Sequence, residues 1–105
     1  MVKNMVDKEK YIFALQISDK DNVATLLQRA TKGSLVTVKG QDNEIKLEAL
    51  ADIPKGHKIA LKDICKGNHV IKYGEIIGMA TQDIKRGDYV HVHNLDSIRG
   101  KMVIE

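Results

Sequence analysis

Three times in this chain an Asp-Ile pair is followed by two residues, at least one of them basic, and then by glycine. The copies are Asp52-Ile53-Pro54-Lys55-Gly56, Asp63-Ile64-Cys65-Lys66-Gly67 and Asp83-Ile84-Lys85-Arg86-Gly87. Each has the chemistry of a tight turn: Asp bonds nearby backbone, Ile anchors the turn in a core, and Gly tolerates φ > 0. A stretch rich in β-formers follows each glycine, namely Ile59-Ala60-Leu61, Val70-Ile71-Lys72-Tyr73 and Tyr89-Val90-His91-Val92-His93. The offsets between copies are unequal, so this is a recurring turn and not a solenoid period. The C-terminal half therefore reads as short strands joined by one kind of turn.

The rest of the chain fits a single domain spanning residues 11–105, preceded by a polar, flexible arm over residues 1–10. Tyr11 to Ile17 reads as a strand. Ser18-Asp19-Lys20-Asp21 offers N-caps, and Val23, Leu26, Leu27 and Ala30 recur at helical spacing, so Asn22 to Ala30 is expected to be a helix stopped by Gly33. Ser34 to Lys39 and Glu44 to Leu50 read as a hairpin turning at Gly40 to Asn43, with Ile45 and Leu47 on one face. Further on, Ala60 to Ile64 suits a single helical turn, and Tyr73-Gly74-Glu75 suits a reversal. In the apolar strand Ile76 to Thr81, Gly78 marks a bulge or a close backbone approach. Asp88 to Leu95 is the strongest strand, and Lys101 to Glu105 a short closing one. The expected fold is mostly β with one helix.

Composition narrows the function. The net charge of +3 comes from lysines scattered among acids, and the aromatic residues are Tyr11, Phe13, Tyr73 and Tyr89 alone. A nucleic-acid groove wants a basic stripe interleaved with stacking aromatics, so nucleic acid is excluded as a partner. No apolar run is long enough to span a bilayer, and residues 1–10 lack the apolar centre of a signal peptide. Cys65 is the sole cysteine, which rules out an intrachain disulfide and suits a cytoplasmic protein. The equivalent turn positions hold Pro54 and Lys85, so Cys65 reads as filler and not as a nucleophile. No phosphate-binding Gly-x-x-x-x-Gly-Lys-Ser/Thr occurs.

Reactive side chains collect late in the sequence. On a strand, His91 and His93 project from one face, where two imidazoles can converge on a metal ion or an anionic substrate, while Val90 and Val92 turn to the core. Asn94 adds a polar group just past them. The same pattern also describes the wetted face of an edge strand, and no nearby acidic or cysteine ligand completes a zinc site. His57-Lys58 follows the first turn, and His69 follows the second. His57 reads equally as a solvated turn residue. Lys72 and Tyr73 suit carboxylate binding or proton transfer, or else Lys72 merely lies over Tyr73.

The segments His57 to Ile64, Val70 to Thr81 and Val90 to Leu95, with Asp21-Asn22-Val23-Ala24 before them, closely resemble the N-terminal SAF domain of altronate and galactarate dehydratases. The likeness runs from about Phe13 to Ser97. Sulfolactate sulfo-lyase small subunits are similar too. The resemblance implies a SAF-type β-clip fold and a separately encoded small subunit completed by a large catalytic subunit. It implies β-elimination of water from a sugar-acid substrate, with iron or manganese as the divalent metal. In that reading Lys72, Tyr73 and His57 are catalytic candidates. His91, His93 and Asn94 contact substrate, and His91 and His93 are the candidate metal ligands. Two other classes stay open: a non-catalytic SAF carbohydrate-binding module, and a small homo-oligomer with a structural or regulatory role.

Overall fold

A computed structural model of the protein describes residues 11–97; the expected arm over residues 1–10 and the closing strand Lys101 to Glu105 lie outside the described residues. Nine strands follow in order: β1 (Ile12–Leu15), β2 (Val23–Leu26), β3 (Leu35–Lys39), β4 (Glu44–Glu48), β5 (Lys58–Ala60), β6 (His69–Lys72), β7 (Glu75–Ala80), β8 (Tyr89–Val90) and β9 (Leu95–Ser97). They form a six-stranded sheet in the order β4-β3-β1-β2-β5-β8 and a three-stranded sheet in the order β6-β7-β9. Strands β1 and β3 run parallel, and the other pairings are antiparallel.

The repeated turns organise this architecture. Their isoleucines, Ile53, Ile64 and Ile84, are all buried. Their glycines, Gly56, Gly67 and Gly87, have φ of 83°, 91° and 94°. Turns two and three face each other: Ile64 and Ile84 exchange both backbone hydrogen bonds, at 2.7 and 2.8 Å. Asp63 Oδ1 accepts from the Arg86 amide, and Asp83 Oδ1 accepts from the Lys66 amide. The first turn has a partner of the same kind that the Asp-Ile pattern conceals, Arg29-Ala30-Thr31-Lys32-Gly33. Ala30 exchanges backbone bonds with Ile53, Asp52 Oδ1 accepts from the Lys32 amide, and Gly33 has φ of 89°. Arg29 stands where the other copies carry Asp and pairs loosely with Asp52 at 3.8 Å.

Two clusters of buried side chains form the interior. One joins Ile12, Leu26, Val36, Val38, Leu47, Ile53 and Ile59; the other joins Val23, Ile64, Val70, Ile84 and Val90. Alternation in β3 and β4 sends Val36, Val38 and Leu47 inward while Leu35, Lys39, Glu44 and Glu48 stay exposed. Gly78 answers both readings of its position. The β6–β7 register shifts beside it, between Val70 and Ile71, and a Cβ there would sit 2.5 Å from the Asp96 carbonyl oxygen. Tyr73 and Gly74 close the β6–β7 hairpin with φ of 58° and 75°, the doubly left-handed reversal suited to a two-residue hairpin.

Three expectations are corrected. Asn22 to Ala30 is not a helix, and no helix occurs among the described residues. Strand β2 lies there, laddered to β1 on one side and β5 on the other, and that double pairing overrides the helical spacing of its apolar residues. Asp21 and Asn22 do not cap a helix; they are buried, and their side chains bind the second sheet. Asp21 Oδ1 accepts from the Gly74 amide, Asn22 Oδ1 accepts from the Ile71 amide, and Asn22 Nδ2 donates to the His69 carbonyl. Ala60 to Ile64 makes no helical turn, because Ile64 is held in its bridge to Ile84. Asp88 to Leu95 is not one strand either: pairing stops after Val90, the chain turns through residues 91–94, and Val92 is 79% exposed instead of facing the core.

Candidate functional site

Strands β5 and β8 each begin two residues after the glycine of a turn, Gly56 and Gly87. Their antiparallel register sets Ile59 opposite Tyr89 and Lys58 opposite Val90. His57, at the head of β5, is thereby brought to the Tyr89 side chain, and the Tyr89 hydroxyl and His57 Nδ1 are hydrogen-bonded at 2.7 Å. The turn after β8 then folds its histidines onto the same ring. His91 lies nearly parallel to Tyr89 (centroids 5.6 Å apart, planes at 12°) and 4.7 Å from the His57 ring. His93 lies 5.3 Å from Tyr89. Strand alternation is not what gathers them, because the chain turns at His91; Tyr89 is the common neighbour.

One buried amide holds that turn. Asn94 Oδ1 accepts from the His91 amide, and Asn94 Nδ2 donates to the Tyr89 carbonyl, both at 2.9 Å. The Asn94 backbone N–H donates to the His91 carbonyl. Asn94 is 5% exposed, and both ends of its side chain are engaged in holding the turn.

The cluster is basic. Burial, followed by the Lys72 ammonium, lowers the Lys58 pKa below the ordinary lysine value. His91 is lowered below the ordinary imidazole value by desolvation and then by His57, Lys58 and His93. The heads and ends of two strands and one turn thus bring His57, Lys58, Lys72, His91 and His93 to a common region. Among the described residues none of these groups forms an ion pair with a carboxylate; the ion pair there joins Arg29 to Asp52. Two lysine ammonium groups beside N–H-bearing imidazoles, with no carboxylate ion pair among the described residues, suit the binding of an anion.

The remaining candidates sit apart. Tyr73 is exposed at the hairpin tip, with the Lys72 ammonium 4.9 Å above its ring, so Lys72 does lie over Tyr73 as well as acting on Lys58. His69 is exposed at the start of β6, and Cys65 is exposed in its turn. A groove of about 710 Å³ is lined by Tyr11, Lys32, Leu35 and Lys46 and shares no residue with the imidazole cluster. Sequence reasoning missed Tyr89 as a site residue. The signal available in the sequence was the repeated turn, which starts one strand just after His57 and another at Tyr89.

For a divalent metal the fit from this chain is incomplete. Among the described residues no group of three or more His, Cys, Asp or Glu side chains can hold an ion. One ring nitrogen of His57 is already engaged by Tyr89.

The altronate/galactarate dehydratase SAF domain family matches residues 12–98. The chain is 41% identical to the altronate dehydratase of Bacillus subtilis over 80 residues, which cover 76% of the chain and 15% of that enzyme. It is 34% identical to the (2R)-sulfolactate sulfo-lyase subunit alpha of Chromohalobacter salexigens, over 83% of the chain and 95% of that subunit. To the subunit of the same name from Paracoccus pantotrophus it is 45% identical, over 62% of the chain and 97% of that subunit. The chain therefore spans about 15% of the altronate dehydratase it matches and nearly all of the lyase subunits.

Proposed function

The chain belongs to the altronate/galactarate dehydratase SAF domain family, and from that premise we propose that it is the small component of a sugar-acid dehydratase. In this reading the basic cluster binds an acid group of the substrate, and a companion catalytic polypeptide closes over it. We assign the two-sheet arrangement to the β-clip type and the protein to the cytoplasm. The observation that carries the reading is the convergence of His57, Lys58, Lys72, His91 and His93 without carboxylate partners among the described residues.

The chemistry calls for such a surface. Removing the proton α to a carboxylate adds negative charge to a group already anionic, so the transition state is favoured by cations and hydrogen-bond donors aimed at the carboxylate oxygens. Imidazoles and ammonium groups in a half-buried setting supply that stabilisation. Lys72, beside both Lys58 and Tyr73, can follow a substrate oxygen at the edge of the cluster. Tyr73 keeps a left-handed backbone conformation that a bulky residue adopts at a cost, and it is 59% exposed, free to meet a companion surface. A divalent iron or manganese ion, which would polarise the carboxylate when bound, belongs in this proposal to the companion.

A second reading keeps the site and changes the leaving group. The lyase alpha subunits match along nearly their whole length, which supports a sulfonated acid as the alternative substrate. Co-expression with a candidate companion, followed by elimination assays on altronate, galactarate and sulfolactate with iron or manganese, distinguishes the two by which acid is consumed. Loss of turnover in a His91→Ala/His93→Ala pair is expected. Unchanged turnover would remove the cluster from the active site, and acid binding without turnover under every pairing would leave a carbohydrate-binding module.

A further inference from the structure

The hydrogen bond between Tyr89 and His57 fixes more than a ring orientation. A phenol O–H is a strong hydrogen-bond donor and a weak acceptor, whereas the bare nitrogen of a neutral imidazole is a strong acceptor. At 2.7 Å, that difference favours the arrangement of the neutral pair in which the Tyr89 O–H donates to His57 Nδ1. The ring's own proton then has one place to reside, Nε2. When the imidazole gains a proton, Nδ1–H donates back to the phenol oxygen, and Nε2 keeps the proton it had.

We infer that Tyr89 is a positioning residue that makes His57 Nε2 a hydrogen-bond donor in both protonation states of the ring. The groups around the pair are of one kind: Lys58 on β5, and His91 and His93 in the turn after β8. Among the described residues no carboxylate forms an ion pair with this group that would draw the imidazole proton elsewhere. The ligand atom that meets Nε2 is consequently an acceptor, a carboxylate, sulfonate or hydroxyl oxygen. His57 does not serve as the base that takes the α-proton, because Nε2 has no lone pair to offer while Tyr89 donates to Nδ1. The substrate class rests on the dehydratase reading, whereas the donor state of Nε2 rests on the geometry alone.

The test uses the chain by itself, labelled with 15N in histidine, and long-range proton–nitrogen correlation above the imidazole titration. Expected is a single His57 tautomer with a pyrrole-type Nε2 and an Nδ1 resonance displaced upfield by the phenol. Tyr89→Phe should let the other tautomer appear, which draws the averaged Nε2 resonance downfield from its pyrrole-type position. A wild-type ring protonated on Nδ1, or resonances indifferent to Tyr89→Phe, overturns the inference. Should Tyr89→Phe fail to fold, the wild-type hydroxyl proton decides: slow exchange with a correlation to His57 Nδ1 supports it, and fast exchange without one refutes it. No companion or substrate enters the measurement, so the dehydratase reading can fail while this assignment holds, and the reverse.

Discussion

Replacing Asn94 by alanine tests whether one buried amide holds the imidazole turn. The substitution removes an acceptor from the His91 N–H and a donor from the Tyr89 carbonyl, each 2.9 Å from the Asn94 side chain, at a residue 5% exposed. An orphaned, partly buried polar group costs about 1–1.5 kcal/mol at the lower end of its range, so two of them come to about 2–3 kcal/mol. With a urea slope of about 1.2 kcal/mol/M for a small domain, the unfolding midpoint should fall by about 1.7–2.5 M with the slope unchanged. The His91 and His93 ring resonances should move with it, because the turn that packs both rings against Tyr89 is released. A stability loss below about 0.5 kcal/mol would show that water replaces the amide at little cost. A normal loss with unmoved ring resonances would show that the amide supports the fold without placing the imidazoles. Either result refutes the reasoning.

Gly78→Ala should destabilise by about 1–3 kcal/mol in thermal or urea unfolding, since its Cβ would press on backbone 2.5 Å away and β9 must give. Tyr73→Asn should stabilise the chain by about 0.5–1 kcal/mol by relieving the left-handed backbone at the hairpin tip, while weakening substrate turnover in the assembled enzyme. The lowered His91 pKa means that the unfolded chain binds the proton more readily than the folded one. Stability that is full above about pH 6.5 is therefore lost as pH falls from there toward the folded pKa, and a pH series of urea unfolding should show a slope that His91→Gln diminishes. In the assembled enzyme, His57→Gln should hold turnover within about tenfold, because the amide N–H replaces Nε2–H, whereas loss of a general base costs about 10²–10⁴-fold.

The turn-and-strand plan was legible because its signals are local. Asp, Ile and Gly at fixed spacing encode carboxylate-to-amide bonds, a buried plug and a left-handed backbone, and the structure has all three at each copy. The fourth turn escaped notice because Arg29 and Ala30 replace the two diagnostic residues while Gly33 keeps the conformation. Asn22 to Ala30 misled because Val23, Leu26 and Ala30 suit a helix face as well as the interior of a sheet. What decides between them is β1 and β5 arriving from either side, which no local window contains. For the site, His57, His91 and His93 are recognisable as residue types in the sequence. Their meeting on Tyr89 depends on the β5–β8 register and on a turn closed by Asn94, both long-range or side-chain-specific.

The paired turns also bear on how the chain finds this structure. Ile64 meets Ile84, and Ala30 meets Ile53, each across a segment of only about twenty residues, for which loop closure exacts a small entropy penalty. Each pair can dock as a self-contained knot of chain before the sheets join. A kinetic experiment should then find the Asp63 and Asp83 contacts formed early on the folding route, with the Asn22 bonds to Ile71 and His69, which join the two sheets across about fifty residues, formed last.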